Sequence, residues 1–238
     1  MAMLLIGVDD TDNQESRGTG HLARQLAAEC VRRGMTALGV TRHQFLVDPR
    51  IPYTSHNSGA CVVVACDDGP RAAEFAFDFV AERAAAGSDP GVCIAEASNV
   101  PEAVIALARA ATRRVVEKDK ALRLAAAAGL AVRELGGTGL GVVGAVASVG
   151  LRAEGNEGRF IDLPGLRDLP ARVRAEALTR LGIALEYPDS GPCPRPEDVY
   201  DTLGWVRPRL AAGRPVLPLE WSASGHAWTP VDHKHAKP

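Results

Sequence analysis

Residues 3–8 (MLLIGV) form an apolar run that stops at Asp9, the pattern of a buried strand ending in a polar loop. From 19 to 33, Leu22, Ala23, Leu26, Ala27, Cys30 and Val31 recur at helical spacing, and Gly34 follows where a helix C-terminus commonly takes glycine. Strands are expected at 36–47 and 60–66 (ACVVVAC), with a loop over 48–59 between them. A helix over about 70–86 is broken by Asp89-Pro90-Gly91, and 92–96 predicts a further strand. The order β-α-β-β-α-β matches the split βαβ, ferredoxin-like arrangement. Helices are expected at 101–117 and 119–128, with Gly129 closing the second. A strand at 130–135 follows, then a strand at 141–149 with 159–163 as its hairpin partner, a helix at 170–181 and a strand at 183–187. Beyond Pro188 the chain is rich in Pro and Gly, and the tail 232–238 is expected to fray.

The fold class read from this pattern is α/β, more closely α+β. A ferredoxin-like N-terminal domain, 1–128, carries an acidic loop, and a second small α/β domain, 129–238, carries a glycine-rich loop. At 46% apolar and 24% charged residues the 238-residue chain has the composition of a globular protein. With 5% aromatics, its core must come mainly from Val, Leu, Ile and Ala. Trp205, Trp221 and Trp228 are expected to cover the second core.

A formal net charge of −2 and the absence of a long basic run argue against a dedicated nucleic-acid-binding module, whose affinity comes from neutralising phosphates. The cysteines Cys30, Cys61, Cys66, Cys93 and Cys193 form no C-x-x-C pair, which disfavours a zinc knuckle and fits small buried side chains in a reducing compartment. No window approaches the ~20 apolar residues of a membrane span. The N-terminus enters a strand without a basic region followed by a long apolar stretch. The expectation is a cytoplasmic protein with no signal peptide and no membrane contact.

Asp9-Asp10-Thr11-Asp12-Asn13 follows the first strand directly. Carboxylates so close raise one another's pKa, and a bound cation relieves the repulsion. Mg²⁺ suits carboxylates combined with water and substrate phosphates. The C-terminal end of a strand is also where α/β folds bind ligands. The plain alternative is a solvated turn that caps the next helix. Ser16-Arg17-Gly18-Thr19-Gly20-His21 opens that helix, and its free N–H groups suit phosphate. Arg17 is suited to pair with a phosphate, and Thr19 with the commoner role of N-cap. His56 and His21 lie nearest these motifs and have the right intrinsic pKa for a general acid or base, or are loop histidines held by hydrogen bonds.

Gly139-Leu140-Gly141-Val142-Val143-Gly144 matches G-x-G-x-x-G. The short β-branched stretch after it, with Gly150, Gly155 and Gly158 close behind, argues against the long helix of a dinucleotide site. The glycines permit close approach of backbone to a ligand, or make a tight turn between packed strands.

Together these segments resemble the tRNA-Ile agmatinylcytidine synthetase family. Gly7-Val8-Asp9-Asp10-Thr11-Asp12 resembles its G-I-D-D-T-D motif. Thr19 falls where the family has its autophosphorylated threonine. Pro49-Arg50-Ile51-Pro52-Tyr53 with Asn57-Ser58-Gly59-Ala60 resembles its N-P-N-I-P-W…G-N-G-A loop. Asp89-Pro90-Gly91 and the stretch from Gly137, Thr138 and Gly139 through Gly141 and Gly144 follow in the family's order. The resemblance covers roughly residues 3–165. It implies that Asp9, Asp10 and Asp12 bind Mg²⁺–ATP, that Thr19 lies beside the γ-phosphate, and that Thr11, Arg17, Gly18, Asn57, Ser58, Gly59 and the later glycines line the nucleotide site. Thr54 and His56 replace the family's Lys and Arg, Leu46 replaces another basic position, and Gly18-Thr19-Gly20-His21 replaces its C-T-T-Y. The family's OB-fold and zinc ribbon, which grip tRNA, find no match in the sequence.

The expectation is therefore an ATP- and Mg²⁺-dependent catalytic half that acts on a small molecule rather than tRNA, with a partner protein or as a homodimer. A non-catalytic nucleotide-sensing module and an NAD-binding protein remain the alternatives.

Overall fold

The computed structural model describes residues 1–231; the expected frayed tail lies outside them. The N-terminal part runs β1 (Ala2–Asp9), α1 (Thr19–Arg32), β2 (Thr36–Gln44), β3 (Ser58–Cys66), α2 (Gly69–Arg83) and β4 (Gly91–Glu96). These strands stand in the order β4-β1-β3-β2, and each adjacent pair is antiparallel. This is the ferredoxin-like arrangement. The chain continues with α3 (Glu102–Ala111), α4 (Lys118–Ala127), β5 (Ala131–Glu134), α5 (Gly141–Glu154) and β6 (Arg159–Asp162). β5 extends the sheet beyond β4, and β6 extends it beyond β2.

Alternation along β1 decides which face each side chain serves. Leu4, Ile6 and Val8 face α1 and α2 and pack with Leu22, Leu26, Ala76, Phe77 and Val80. Leu5, on the other face, packs with Val104 and Leu107 of α3, Ala121 and Ala125 of α4, and Ala145, Val146 and Val149 of α5. The sheet is thus covered by helices on both sides.

Residues 141–149 correct the expectation of a strand. They form the first part of α5, whose residues from Gly141 to Leu151 are buried except Val143. A helix buried on every side has no polar face, so the amphipathic signature is missing and its valines read as β-branched strand residues. β6 therefore has no hairpin partner there; it pairs with β2 and with a later strand. The reason α5 lies so close is glycine. A Cβ on Gly7 would overlap the Ala145 carbonyl oxygen, and one on Gly91 would overlap the Gly141 backbone.

The remaining elements are β7 (Arg172–Val173), α6 (Ala175–Thr179), β8 (Ala184–Glu186), β9 (Tyr200–Asp201), β10 (Arg209–Ala211), β11 (Arg214–Ser222) and β12 (Ala227–Pro230). The expected helix 170–181 shrinks to α6, because 172–173 pair with β9 instead. β10 joins β6 to β11, so the sheet runs on into this part through β12, β9 and β7. Leu163, Leu178, Ile183, Leu210, Leu217 and Trp228 form its core, with Trp221 packed against it. Trp205 is not in that core; the guanidiniums of Arg207 and Arg167 stand 4.0 and 4.9 Å from its ring. No helix among the described residues is long and apolar enough to cross a membrane.

Because the α5–β1 contact is backbone on backbone, Gly7→Ala should cost about 3 kcal/mol, the upper end for an overpacked core. A fall in the urea midpoint checks this, and an unchanged midpoint would show that α5 is free to withdraw.

Candidate functional site

The C-terminal ends of β1 and β2 and the N-terminal ends of β3 and β4 lie together at one edge of the sheet, since Val8 pairs with Ala60, Asp9 with Gly91 and Gln44 with Ser58. Four connections meet there: the acidic loop after β1, the 45–57 loop before β3, the linker between α3 and α4, and the turn that opens α5. They enclose a cavity of about 340 Å³, within the usual small-molecule range of roughly 300–1,000 Å³.

Asp9, Asp10, Asp12, Thr19, His56, Asn57, Ser58, Gly141 and Gly144, separated by up to 135 positions in the chain, all line this cavity. One part of the wall is apolar (Phe45, Ile51, Pro52, Tyr53, Val115, Val116, Val143). Arg114 and Glu117, from the α3–α4 linker, and Lys118, the first residue of α4, also line it. Sequence reading missed these three. The Arg113-Arg114…Lys118 run between two helices was the available signal, and only the fold turns it toward the acidic loop.

Thr19 and Asp12 form the centre of the polar network. The Thr19 hydroxyl donates to Asp12 Oδ1 at 2.9 Å and accepts from the Thr11 N–H at 3.1 Å. Asp12 Oδ1 also accepts the Thr19 N–H at 3.0 Å, and Oδ2 accepts the Thr54 hydroxyl at 2.7 Å. The helix N-cap is Gly18, so Thr19 is the first residue of α1 rather than its cap. Its hydroxyl is buried, directed at a carboxylate and present in the cavity wall, the arrangement of a hydroxyl whose proton has an acceptor in place.

The surroundings of Asp9 and Asp10 act on both carboxyls. Burial, then the charges of Asp10 and Asp12, pushes the Asp9 carboxyl up to about 7. Burial, then Asp89 and Asp12, pushes Asp10 up to about 6. Asp10 also holds a φ of +51°, a conformation that aspartate tolerates better than most residues. Gly144 is glycine because the Asp9 carboxylate occupies the space a Cβ would need. Asp89, read from sequence only as part of a breaker and motif, caps the α5 turn. It accepts the Gly139 N–H at 2.6 Å, the Leu140 N–H at 3.1 Å and the Thr138 hydroxyl.

Other expected site residues serve different purposes. Arg17 is exposed and lines no part of the cavity. Gly59 gives room to Ser148 and Phe45. Asn57 ties the loop by donating to the Leu46 carbonyl at 2.6 Å. Thr11 supports Thr19, and Gly137 and Thr138 pack on Asp89 behind the wall. The G-x-G-x-x-G segment does open a helix, contrary to the expectation, but the strand before it is an antiparallel edge strand rather than part of a parallel dinucleotide unit. Among the described residues no three His, Cys, Asp or Glu side chains are grouped to hold a metal ion on their own. Asp12 instead accepts three hydrogen bonds, from the Thr19 N–H and hydroxyl and from the Thr54 hydroxyl.

No family model and no curated protein sequence matches the chain. Solved structures do. A complex of TiaS with an isoleucine tRNA and ATP is 27% identical with a TM-score of 0.53, over 63% of this chain and 36% of that one. The likeness is to the catalytic half of TiaS. A TiaS complex with the same tRNA, AMPCPP and agmatine matches at 25% identity and a TM-score of 0.54, over 63% of this chain and 36% of that one. A tRNA fluorescent labeling enzyme matches at 25% and 0.54, over 62% and 36%. The chain therefore spans about a third of the length of each of these proteins.

The Asp9 carboxyl predicts a pH effect on stability. Its folded pKa lies above the unfolded value of 3.8. The folded state thus holds the proton more tightly, and stability falls as pH rises from about 4 through 7. In EDTA, Asp9→Asn should match the wild type near pH 4 and melt at a higher temperature at pH 8. Parallel melting curves across that range would refute the burial of a strained carboxyl.

Proposed function

We propose that this chain is an ATP- and Mg²⁺-dependent enzyme that activates a small acceptor by phosphoryl or nucleotidyl transfer and joins it to an amine. The observation that carries the reading is the meeting of a buried threonine hydroxyl on Asp12 with the carboxylates Asp9 and Asp10 in one cavity whose far wall is apolar. TiaS structures hold ATP or AMPCPP, which supports the nucleotide as the ligand. The apolar wall from Phe45 to Val143 suits a base, and Lys118 and Arg114 suit its phosphates.

The donor set fits magnesium in the way that ion is usually bound, by one or two carboxylates completed by water and phosphate oxygens, which needs no three-ligand cage. Asp9 and Asp10, both pushed toward the neutral form without a cation, are the residues that would hold it. Bound there, Mg²⁺ would neutralise phosphate charge. The chain's own contribution is positioning: Asp12 Oδ1 accepts the hydrogen bond of the Thr19 hydroxyl, the Thr11 N–H fixes that hydroxyl, and the 45–57 loop walls the cavity on that side. A small acceptor, rather than tRNA, is favoured by the net charge of −2 and by Thr54 and His56 in place of basic residues.

One observation favours a nucleotide sensor instead: the Thr54 hydroxyl ties up the second oxygen of Asp12. Turnover separates the two. Asp10→Asn should keep the wild-type circular dichroism spectrum and lower ATP turnover by about a hundredfold or more, the scale of removing a charge-stabilising group. Full turnover in that variant would end the assignment, and wild-type binding without turnover would favour the sensor.

A further inference from the structure

We infer that a second cavity beside the nucleotide pocket is the acceptor subsite and takes a small phosphate-bearing molecule. The cavity measures about 260 Å³ and is lined by Arg24 of α1, Arg42 of β2, and Arg167, Trp205 and Arg207 from the segments flanking the second core. The inference rests on the phosphoryl- or nucleotidyl-transfer reading for its acceptor role, but the anion site stands on its own observations.

Four guanidiniums from four separate parts of the chain converge here. Arg42 Nε donates to Ser58 Oγ at 2.9 Å, and Arg24 Nη2 lies 3.3 Å from His21 Nδ1. Arg167 and Arg207 both stand against Trp205, which holds their planes beside the same ring. Among the described residues, the carboxylates that line this cavity or pair with these arginines are Asp12, in the wall, and Asp162, 3.8 Å from Arg167. The four arginines therefore outnumber these carboxylates by two, which matches a phosphomonoester dianion better than a single carboxylate. Burial first, and then the neighbouring arginines, disfavours the charged form of Arg24 and Arg207. A bound anion would remove that repulsion, and guanidinium forks suit phosphate oxygens.

The two cavities share a wall. Asp12, Thr19, Thr54, His56 and Ser58 line both. A ligand among the arginines would thus lie across the Thr19–Asp12 pair from the nucleotide. The cavity falls below the usual small-molecule range of roughly 300–1,000 Å³, which fits a phosphate on a small body rather than a polynucleotide. No basic run in the sequence announces it, because each arginine comes from a different segment.

The test follows the three tryptophan indole N–H signals in NMR spectra of the whole chain, with Trp205 assigned from Trp205→Phe. The probes are inorganic phosphate, glycerol 3-phosphate, acetate and an RNA hexamer. Phosphate and glycerol 3-phosphate should shift the Trp205 signal, with binding weakened about tenfold or more in Arg207→Ala and in Arg167→Gln, while Mg²⁺–ATP binding stays within about twofold. Both side chains reach the surface beside Trp205, so both variants should still fold, with a wild-type circular dichroism spectrum and only a small change in melting temperature. Phosphate binding that ignores both substitutions, acetate binding as tightly as phosphate, or RNA binding without phosphomonoester binding would each overturn the inference. Mg²⁺–ATP binding without phosphate binding sinks the subsite alone. Arginine-dependent phosphate binding without any Mg²⁺–ATP binding sinks the acceptor role by removing the nucleotide reading.

Discussion

Helix α5 meets the sheet with no side chain between the two backbones at Gly7 and Gly91, and the position of the site follows from that contact. Because α5 sits this close, its first turn abuts the end of β1, and Gly144 leaves just the space that the Asp9 carboxylate fills. Asp89 fixes the same turn from the other side by capping residues 138–140. The acidic loop is therefore gripped between a helix N-terminus and a capped turn. Asp9 and Asp10 are half-buried there, and burial first, then the neighbouring acids, pushes both carboxyls toward the neutral form, a shift that a bound cation would reverse.

Asp12 is the exception among the acids, and its difference divides the labour. It is satisfied by three donors, two of them from Thr19. So engaged, Asp12 holds the Thr19 hydroxyl and N–H in one fixed geometry. The same pair stands on the partition between an apolar and acidic cavity on one side and a basic one on the other. This contrast across a single threonine gives the transfer reading its physical content.

The ferredoxin-like part was legible because its signals are local. The apolar run of β1, the periodicity of α1 and the glycine at 34 each mark an element without reference to the rest of the chain. The acidic motif and its threonine were legible by resemblance, and they do meet in one cavity. Helix α5 was not, because full burial erases the polar face that would announce a helix. The basic cavity was not either: Arg24, Arg42, Arg167 and Arg207 are single charges on four segments, and only the β2–β6–β10 pairing assembles them. Gly59 and Asn57 also do packing work that their sequence context does not announce: Gly59 gives room to Ser148 and Phe45, and Asn57, in the cavity wall, ties the loop to the Leu46 carbonyl.

The central claim is that the acidic cavity binds a magnesium–nucleotide complex. The most direct measurement is the melting temperature with ATP plus Mg²⁺, with ATP plus EDTA, and with NAD. Ligand at about a hundred times its Kd stabilises the fold by roughly 2.7 kcal/mol, a rise of roughly 5–10 °C for a chain of this size. The account predicts that rise only when ATP and Mg²⁺ are present together. No rise with both, or a rise with NAD alone, would contradict it.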